Sequence, residues 1–314
     1  IYGLMNITIA KIINSKINNS LNKYLFHMYL LYKQKIRSEI IQNNKETGFT
    51  NFSDYQGRKS YFIGDNFLEL QSAMGIISAN KEQKINSLEA RLCPSENNNM
   101  ERLDFIEKSI NKYRQRYSID KKNNHFYVFH FPKRKEINKK ILDGTKIKEK
   151  INFSKLRESI KSKSIAIKNL LFNYPDKLKK IRGIDACSSE IDCPPEVFAH
   201  SYRYLKSLNF FNGEKYLKNH LSNINNSEKL LRATYHVGED FLDITSGLRN
   251  IEEVIEFLRI EDGDRLGHCI ALGIDPYDYY ELKDYRIILT KQELLDNLVW
   301  LYIKTINNNI NISI

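Results

Sequence analysis

Apolar and polar positions follow two periods along this chain, and from about residue 84 onward the two alternate. His125–Phe131 reads His-Phe-Tyr-Val-Phe-His-Phe, an aromatic and β-branched run closed by Pro132, and predicts a strand. Ile85–Leu92, which ends at Cys93-Pro94, is a second run of strand length, and so are Ile181–Ala186, Leu231–Val237 and Arg265–Ile270. Between them the spacing becomes helical. Asn97–Asn99 predicts a turn and Met100–Tyr117 a helix. A basic helical stretch reaches about Asn173, and another helix opens at Pro194-Pro195 and runs to about Leu208, with Pro195 suited to the first helical position. Asn250-Ile-Glu-Glu253 has the form of a capping box, and Ile251, Val254, Ile255 and Leu258 behind it share one helical face. Gln292–Ile303, with Leu294, Leu295, Leu298 and Leu301, predicts a last helix.

Strands that alternate with helices of this length predict βαβ units and a parallel sheet. Five such strands are visible from residue 84, and a closed α/β barrel takes about eight. The expected organisation is a helical and loop-rich region over 1–80, a partial (β/α) barrel over 84–303 and a polar tail over 304–314. Within the first region Leu21–Ile41 and Phe67–Ile77 have helical character, and the polar stretch Asn43–Lys59 reads as a loop.

Bulk properties narrow the class. The 314 residues, 41% of them hydrophobic, suffice for a domain of barrel size. Tyr24–Tyr32, the longest apolar run near the start, is too short to span a membrane, so a soluble, cytoplasmic protein is expected. Cys93, Cys187, Cys193 and Cys269 form no C-x-x-C, which argues against a zinc ribbon or a thioredoxin motif, and H-x-E with P-C-x-x-C is absent too. The net charge is +11, and residues 133–168 hold thirteen Lys or Arg against four Asp or Glu. Such a run can face nucleic acid, but it lacks the interleaved aromatics of a stacking platform.

Two motifs carry candidate chemistry. His236-Val-Gly-Glu239 closes one predicted strand, and Asp264-Arg265-Leu-Gly267-His268 covers the next. In an α/β barrel the functional side chains gather where strands end. A neutral imidazole there suits zinc, a carboxylic acid held protonated can deliver a proton, and a second histidine can activate water. His125 and His130 sit five apart in one strand, face opposite sides, and read as structural. His27, His200 and His220 read as surface or packing residues.

The two motifs resemble the H-A-G-E and R-x-G-H-G segments of the adenosine-deaminase branch of the metal-dependent amidohydrolases, with Val237 in place of Ala and Cys269 in place of the last Gly. Gly183-Ile-Asp185-Ala-Cys-Ser188-Ser-Glu190 resembles that family's G-I-D-L-A-G-D-E segment, and Leu88-Glu-Ala-Arg91-Leu-Cys-Pro94 its E-x-R-x-S-P segment. Ser-Ser-Glu-Ile, His-Val-Gly-Glu-Asp-Phe and Gly-Asp-Arg-Leu-Gly-His are more similar still to the adenosine-deaminase-like subunits of the bacterial RADAR phage-defence system. The resemblance implies a TIM-type (β/α)8 barrel, here with about five of its eight strands. It also implies conversion of adenosine or an adenine nucleotide to the inosine form, assembly into a homo-oligomer, and a role in antiphage defence. His236 then matches a zinc ligand, Glu239 the proton donor to the purine and His268 the activator of water. Asp185, Ser188, Glu190 and Gly238 match the substrate pocket, while Asp264, Arg265 and Gly267 support it from behind. The family's upstream His-x-His and downstream Asp do not occur, so the remaining ligands of the one zinc ion are expected outside this chain. A catalytically inactive shell or scaffold subunit, or a basic nucleic-acid-binding protein, is the alternative expectation.

Overall fold

The computed structural model describes residues 20–36, 38, 67–81, 87–116, 124–135, 153–174, 177, 179–191, 193–208 and 231–310. The chain divides into two compact units, Ile1–Asp65 and Asn66–Ile314. The first contains helix α1 (Ser20–Ile36); the predicted loop at 43–59 lies outside the described residues. The second runs α2 (Phe67–Lys81), β1 (Leu88–Leu92), α3 (Asn99–Arg116), β2 (His125–Pro132), α4 (Ser154–Asn173), β3 (Ile181–Cys187), α5 (Glu196–Lys206), β4 (Arg232–Val237), α6 (Ile244–Phe257), β5 (Arg265–His268), α7 (Pro276–Glu281) and α8 (Lys291–Asn307). Helix α2, grouped by its sequence position with residues 1–80, belongs to this second unit and packs on α3 and β1.

The five strands are all parallel and lie in the order β1-β2-β3-β4-β5. Each is followed by helix before the next strand begins, which is the arrangement of consecutive units in a (β/α) barrel. Alternation along the strands separates two faces. Ala90 and Leu92, Tyr127, Phe129 and Phe131, Ile184 and Ala186, and Ala233, Tyr235 and Val237 are buried against the helices. The opposite face carries Glu89, Arg91, His130, Asp185, Cys187, Thr234, His236 and Arg265. The sheet is strongly curved about this polar face. Arg265 on β5 pairs with Glu89 on β1 at 2.5 Å, although strands four places apart in a flat sheet would be about 19 Å apart. The five strands are thus an incomplete barrel with a polar interior, and β1 and β5 are its edge strands among the described residues.

Three elements depart from the sequence pattern. β5 stops at His268 instead of Ile270, because His268 and Cys269 take left-handed φ values of 62° and 50° and a 3-10 turn follows at Ile270–Gly273. α6 starts at Ile244, with Asp243 as its N-cap, so Asn250-Ile-Glu-Glu253 lies within the helix and caps nothing. α8 presents its apolar stripe outward: Leu294, Leu295, Leu298 and Leu301 are between 39% and 55% exposed. Its polar side faces α6 instead. Ser246 Oγ donates to Glu293 Oε1 at 2.8 Å, Arg249 Nε to Asn297 Oδ1 at 2.9 Å, and Trp300 Nε1 to Glu252 Oε2 at 2.6 Å.

At the base of the sheet, Glu107 of α3 accepts from Tyr127 Oη at 2.8 Å and pairs with Lys180 at 2.7 Å, with His125 Nε2 at 2.9 Å. Burial pushes its carboxyl up, but the bonds from His125, Lys180 and Tyr127 outweigh this and hold it at about 2. A depressed folded pKa contributes stability above the unfolded value near 4.5, and that contribution is lost as pH falls toward 2. With the group partly solvated, the contribution is about 2–3 kcal/mol. Urea denaturation at pH 5 and pH 2.5 should therefore show a smaller acid loss for Glu107→Gln than for the parent, by about 2 kcal/mol. Equal losses would show that Glu107 does not report on folding.

Candidate active site at the C-terminal end of the sheet

His236 is the penultimate residue of β4 and points to the polar face. Its Nδ1 lies 2.9 Å from Asp185 Oδ1, and Asp185 is completely buried on neighbouring β3. A carboxylate can only accept, so His236 carries its proton on Nδ1 and turns the Nε2 lone pair outward. That is the tautomer of a metal-ligating histidine backed by a carboxylate. Here, however, Nε2 faces Arg91 Nη1 of β1 at 3.0 Å. The same guanidinium atom is 2.9 Å from Asp185 Oδ2, close enough for an ion pair though outside hydrogen-bond geometry. Gly267 on β5 leaves room for the ring: a Cβ there would meet His236 Cδ2 at 2.8 Å.

His268 ends β5 in register with Val237, and strict alternation would send both side chains toward the helices. The left-handed backbone at His268 breaks the alternation. Its ring centroid is 5.3 Å from that of His236, and its Nε2 is 2.9 Å from Glu239 Oε2. Burial pushes the Glu239 carboxyl up, Glu190 adds to this, and His268, His236 and Lys133 pull it back, leaving it raised. A carboxyl with a raised pKa beside an imidazole can form a proton-transfer pair.

Glu190 fixes the turn that bears Glu239. Its Oε2 accepts from Gly238 N at 2.9 Å, and its Oε1 from Glu239 N at 2.9 Å and Asp240 N at 3.3 Å. Gly238, at φ 73°, supplies the left-handed step of that turn. Both Glu190 oxygens are thus engaged by the chain's own backbone. Lys133, 3% exposed just after β2, donates from Nζ to the His236 carbonyl and lies 4.6 Å from the Tyr235 ring centroid. Burial lowers its pKa, with Glu190 opposing.

Asp264 and Arg265 lie at the start of β5, the far end from His268. Asp264 is buried, accepts from Ala233 N at 2.8 Å and pairs with Lys206 at 2.5 Å. Arg265 Nε donates to Thr234 Oγ1 at 3.0 Å. Both brace the strands beneath the mouth. Ser188, just past β3, has φ 93°. Ser188 and Cys269 stand where the resembling segments have glycine, and both keep a glycine-type backbone. A side chain in that region costs about 1–2 kcal/mol, offset in part by the entropy glycine adds to the unfolded chain. Ser188→Gly is expected to raise stability by about 0.5–1 kcal/mol, read as a higher denaturant midpoint; Ser188→Ala should give no gain.

Reasoning from motifs alone did not single out Arg91, Lys133 or His130 for the site. For Arg91 a signal existed, since Glu89 and Arg91 alternate with Ala90 and Leu92 at the strand period. His130 lies among Cys93, Cys187 and Asp185. Burial lowers its pKa to about 4, with Arg91 and His236 adding to this and Asp185 opposing. Burial also raises Cys187, assisted by Asp185, to about 12.

Among the described residues, the one group of three His, Cys, Asp or Glu donors placed to share a metal is His130, Asp185 and Cys187. His236 does not belong to it. With Arg91 against Nε2 and no further donors gathered there, the described residues do not make a zinc site at His236. Residues 136–152 of the basic run lie outside the described residues. No helix among them is long and apolar enough to cross a membrane.

No family model matches the sequence, and no curated protein matches it. Among solved structures, the chain is similar to a zinc-bound amidohydrolase from Burkholderia ambifaria at 14% identity and a TM-score of 0.43, covering 79% of this chain and 54% of that one. It is also similar to an adenine deaminase from Arthrobacter aurescens at 13% identity and a TM-score of 0.40, covering 88% of this chain and 63% of that one. The chain therefore spans between 54% and 63% of the length of these two proteins.

Proposed function

We propose that the C-terminal mouth of this half barrel is the proton-transfer part of a hydrolytic deaminase site for adenosine or an adenine nucleotide. The observation that carries the reading is the contact of Glu239 with His268 at 2.9 Å, beside a His236 held by Asp185. Replacing the amine of an adenine ring by oxygen requires water to add at the amine-bearing carbon, a proton on the adjacent ring nitrogen, and departure of ammonia. Glu239, its pKa raised by burial, delivers the ring proton. His268 takes the proton from water. Asp185 and Glu190 hold His236 and the Glu239 turn in place. The zinc implied by the family resemblance would need donors at His236 beyond the described residues, and would supply an activated water there. The homo-oligomer and the antiphage role rest on the same resemblance and are proposed with it.

The second reading is a non-catalytic subunit, favoured by one observation: Arg91 sits where a ligand of His236 would go. Calorimetric titration with adenosine, ATP, guanosine and cytidine, paired with ammonia release in zinc-containing buffer, separates the two. Selective adenine binding with ammonia release supports the deaminase. Selective binding without release supports the second reading. Absence of adenine selectivity in both measurements overturns the assignment of the mouth to this substrate class.

A further inference from the structure

The polar face of the sheet holds a second set of donors, of which the deaminase reading uses only Asp185. His130 of β2 lies between two thiols. Its Nδ1 is 2.9 Å from Cys187 Sγ, and its Nε2 is 2.8 Å from Cys93 Sγ, just after β1. Asp185 precedes Cys187 by two residues on β3 and so shares its face. One ligand atom from each of His130, Asp185 and Cys187 lies within 4.8 Å of the others. Tetrahedral zinc holds its ligand atoms about 3.5 Å apart, so small side-chain adjustments complete the geometry.

We propose that His130 Nδ1, the Asp185 carboxylate and Cys187 Sγ bind one zinc-class divalent ion at the C-terminal ends of β2 and β3. The donor chemistry selects the metal: a thiolate with an imidazole suits zinc and disfavours magnesium and calcium, which take oxygen ligands. Cys93 orients the histidine. Its sulfur accepts the Nε2 proton, which leaves the Nδ1 lone pair toward the ion. The charges balance, because the dication meets one carboxylate and one thiolate. The Cys187 thiol proton goes to solvent, and the imidazole enters neutral. Three protein ligands leave a fourth position for water, which the half-buried His130 and Cys187 let in. Asp185 also contacts Arg91 and His236, so the ion sits one carboxylate away from His236. The Arg91 side chain, 35% exposed, can withdraw as Asp185 turns to the metal. The site stands on its own residues and does not depend on the deaminase reading.

The test is cobalt titration of the full chain after chelator treatment. One equivalent should bind with a thiolate-to-cobalt charge-transfer band in the near ultraviolet, and zinc should displace it. Cys187→Ser should remove the band. Cys93→Ala should weaken binding about 10–100-fold, as loss of a ligand's hydrogen-bond partner does. His236→Ala, which removes a hydrogen-bond partner of Asp185, should weaken binding without abolishing the band. No band at excess cobalt, a band that survives Cys187→Ser, or one lost only with His236→Ala overturns the proposal. The last of these results would move the metal to His236 and leave the deaminase reading intact. Alkylation of the unsubstituted protein needs no variant to fold: zinc should protect Cys187 and not Cys269, and equal modification of Cys187 with and without zinc counts against the site.

Discussion

In preparations that release ammonia from adenosine or ATP, Glu239→Gln is expected to lower the turnover rate about 10²–10⁴-fold, the usual worth of a positioned proton donor. Glutamine keeps the size of the side chain. The Glu190 bonds to the turn run through backbone N–H groups, so they survive the change. Substrate affinity should therefore move little while kcat falls, the signature of an interaction used in the transition state. His268→Ala should cause a loss of similar size. The double variant should be little worse than either single one, because the two groups act as a unit. The sign of the pH dependence follows from burial. Glu239 must carry its proton to act, and its pKa is raised, so activity persists to higher pH than an ordinary carboxylic acid would allow and falls as pH rises through that value. A loss smaller than about tenfold in Glu239→Gln would remove Glu239 from the chemistry.

The largest stability effect is expected at the opposite end of β5. Asp264 and Lys206 form an ion pair with both side chains almost fully buried, and Asp264 also accepts from the backbone of Ala233 and Glu261. Asp264→Ala leaves the almost fully buried Lys206 ammonium without its counter-charge and the Ala233 N–H without its side-chain acceptor, at a cost of about 3–5 kcal/mol. For a unit of this size the melting temperature should drop by about 10 °C or more. Changing the pair together, Lys206→Met with Asp264→Leu, should recover part of the loss by removing the stranded charge. It should not recover all of it, since leucine offers no acceptor to the Ala233 N–H. A melting temperature for Asp264→Ala within about 2 °C of the parent would mean that water reaches the pair.

These two residues show how far the sequence could be read. The Asp264–His268 segment was visible as one motif, and its strand was placed correctly at its start. Its two ends, however, do different work. Only the three-dimensional register reveals that Asp264 braces the base of β4 and β5 while His268 reaches the mouth. The five strands were legible because β-branched and aromatic runs such as His125–Phe131 have few alternatives in a buried parallel sheet. The start of α6 was hidden because Thr245, Ser246 and Gly247 weaken its first turn, whereas Asn250-Ile-Glu-Glu253 imitates a cap in mid-helix. The α8 stripe of leucines has the spacing of a core face, and spacing cannot say whether a partner is present. His130 reads as structural from the sequence, which does not show its contacts with Cys93 and Cys187, because these residues are remote from it and meet it only through strand pairing.

The polar docking of α8 on α6 has a thermodynamic consequence. A helix seated by leucines brings a large positive heat-capacity change when it detaches, because apolar surface becomes wet. α8 is seated by Glu293, Asn297, Trp300 and Lys304 instead, while its leucines already face outward. Its release exposes mainly polar groups, whose hydration lowers the heat capacity. The strength of this attachment should therefore vary little with temperature and respond to salt and to pH through its charged members. Heating would report the barrel and its apolar core, whereas hydrogen exchange across a salt series would report α8 as a separate unit with its own lower opening free energy.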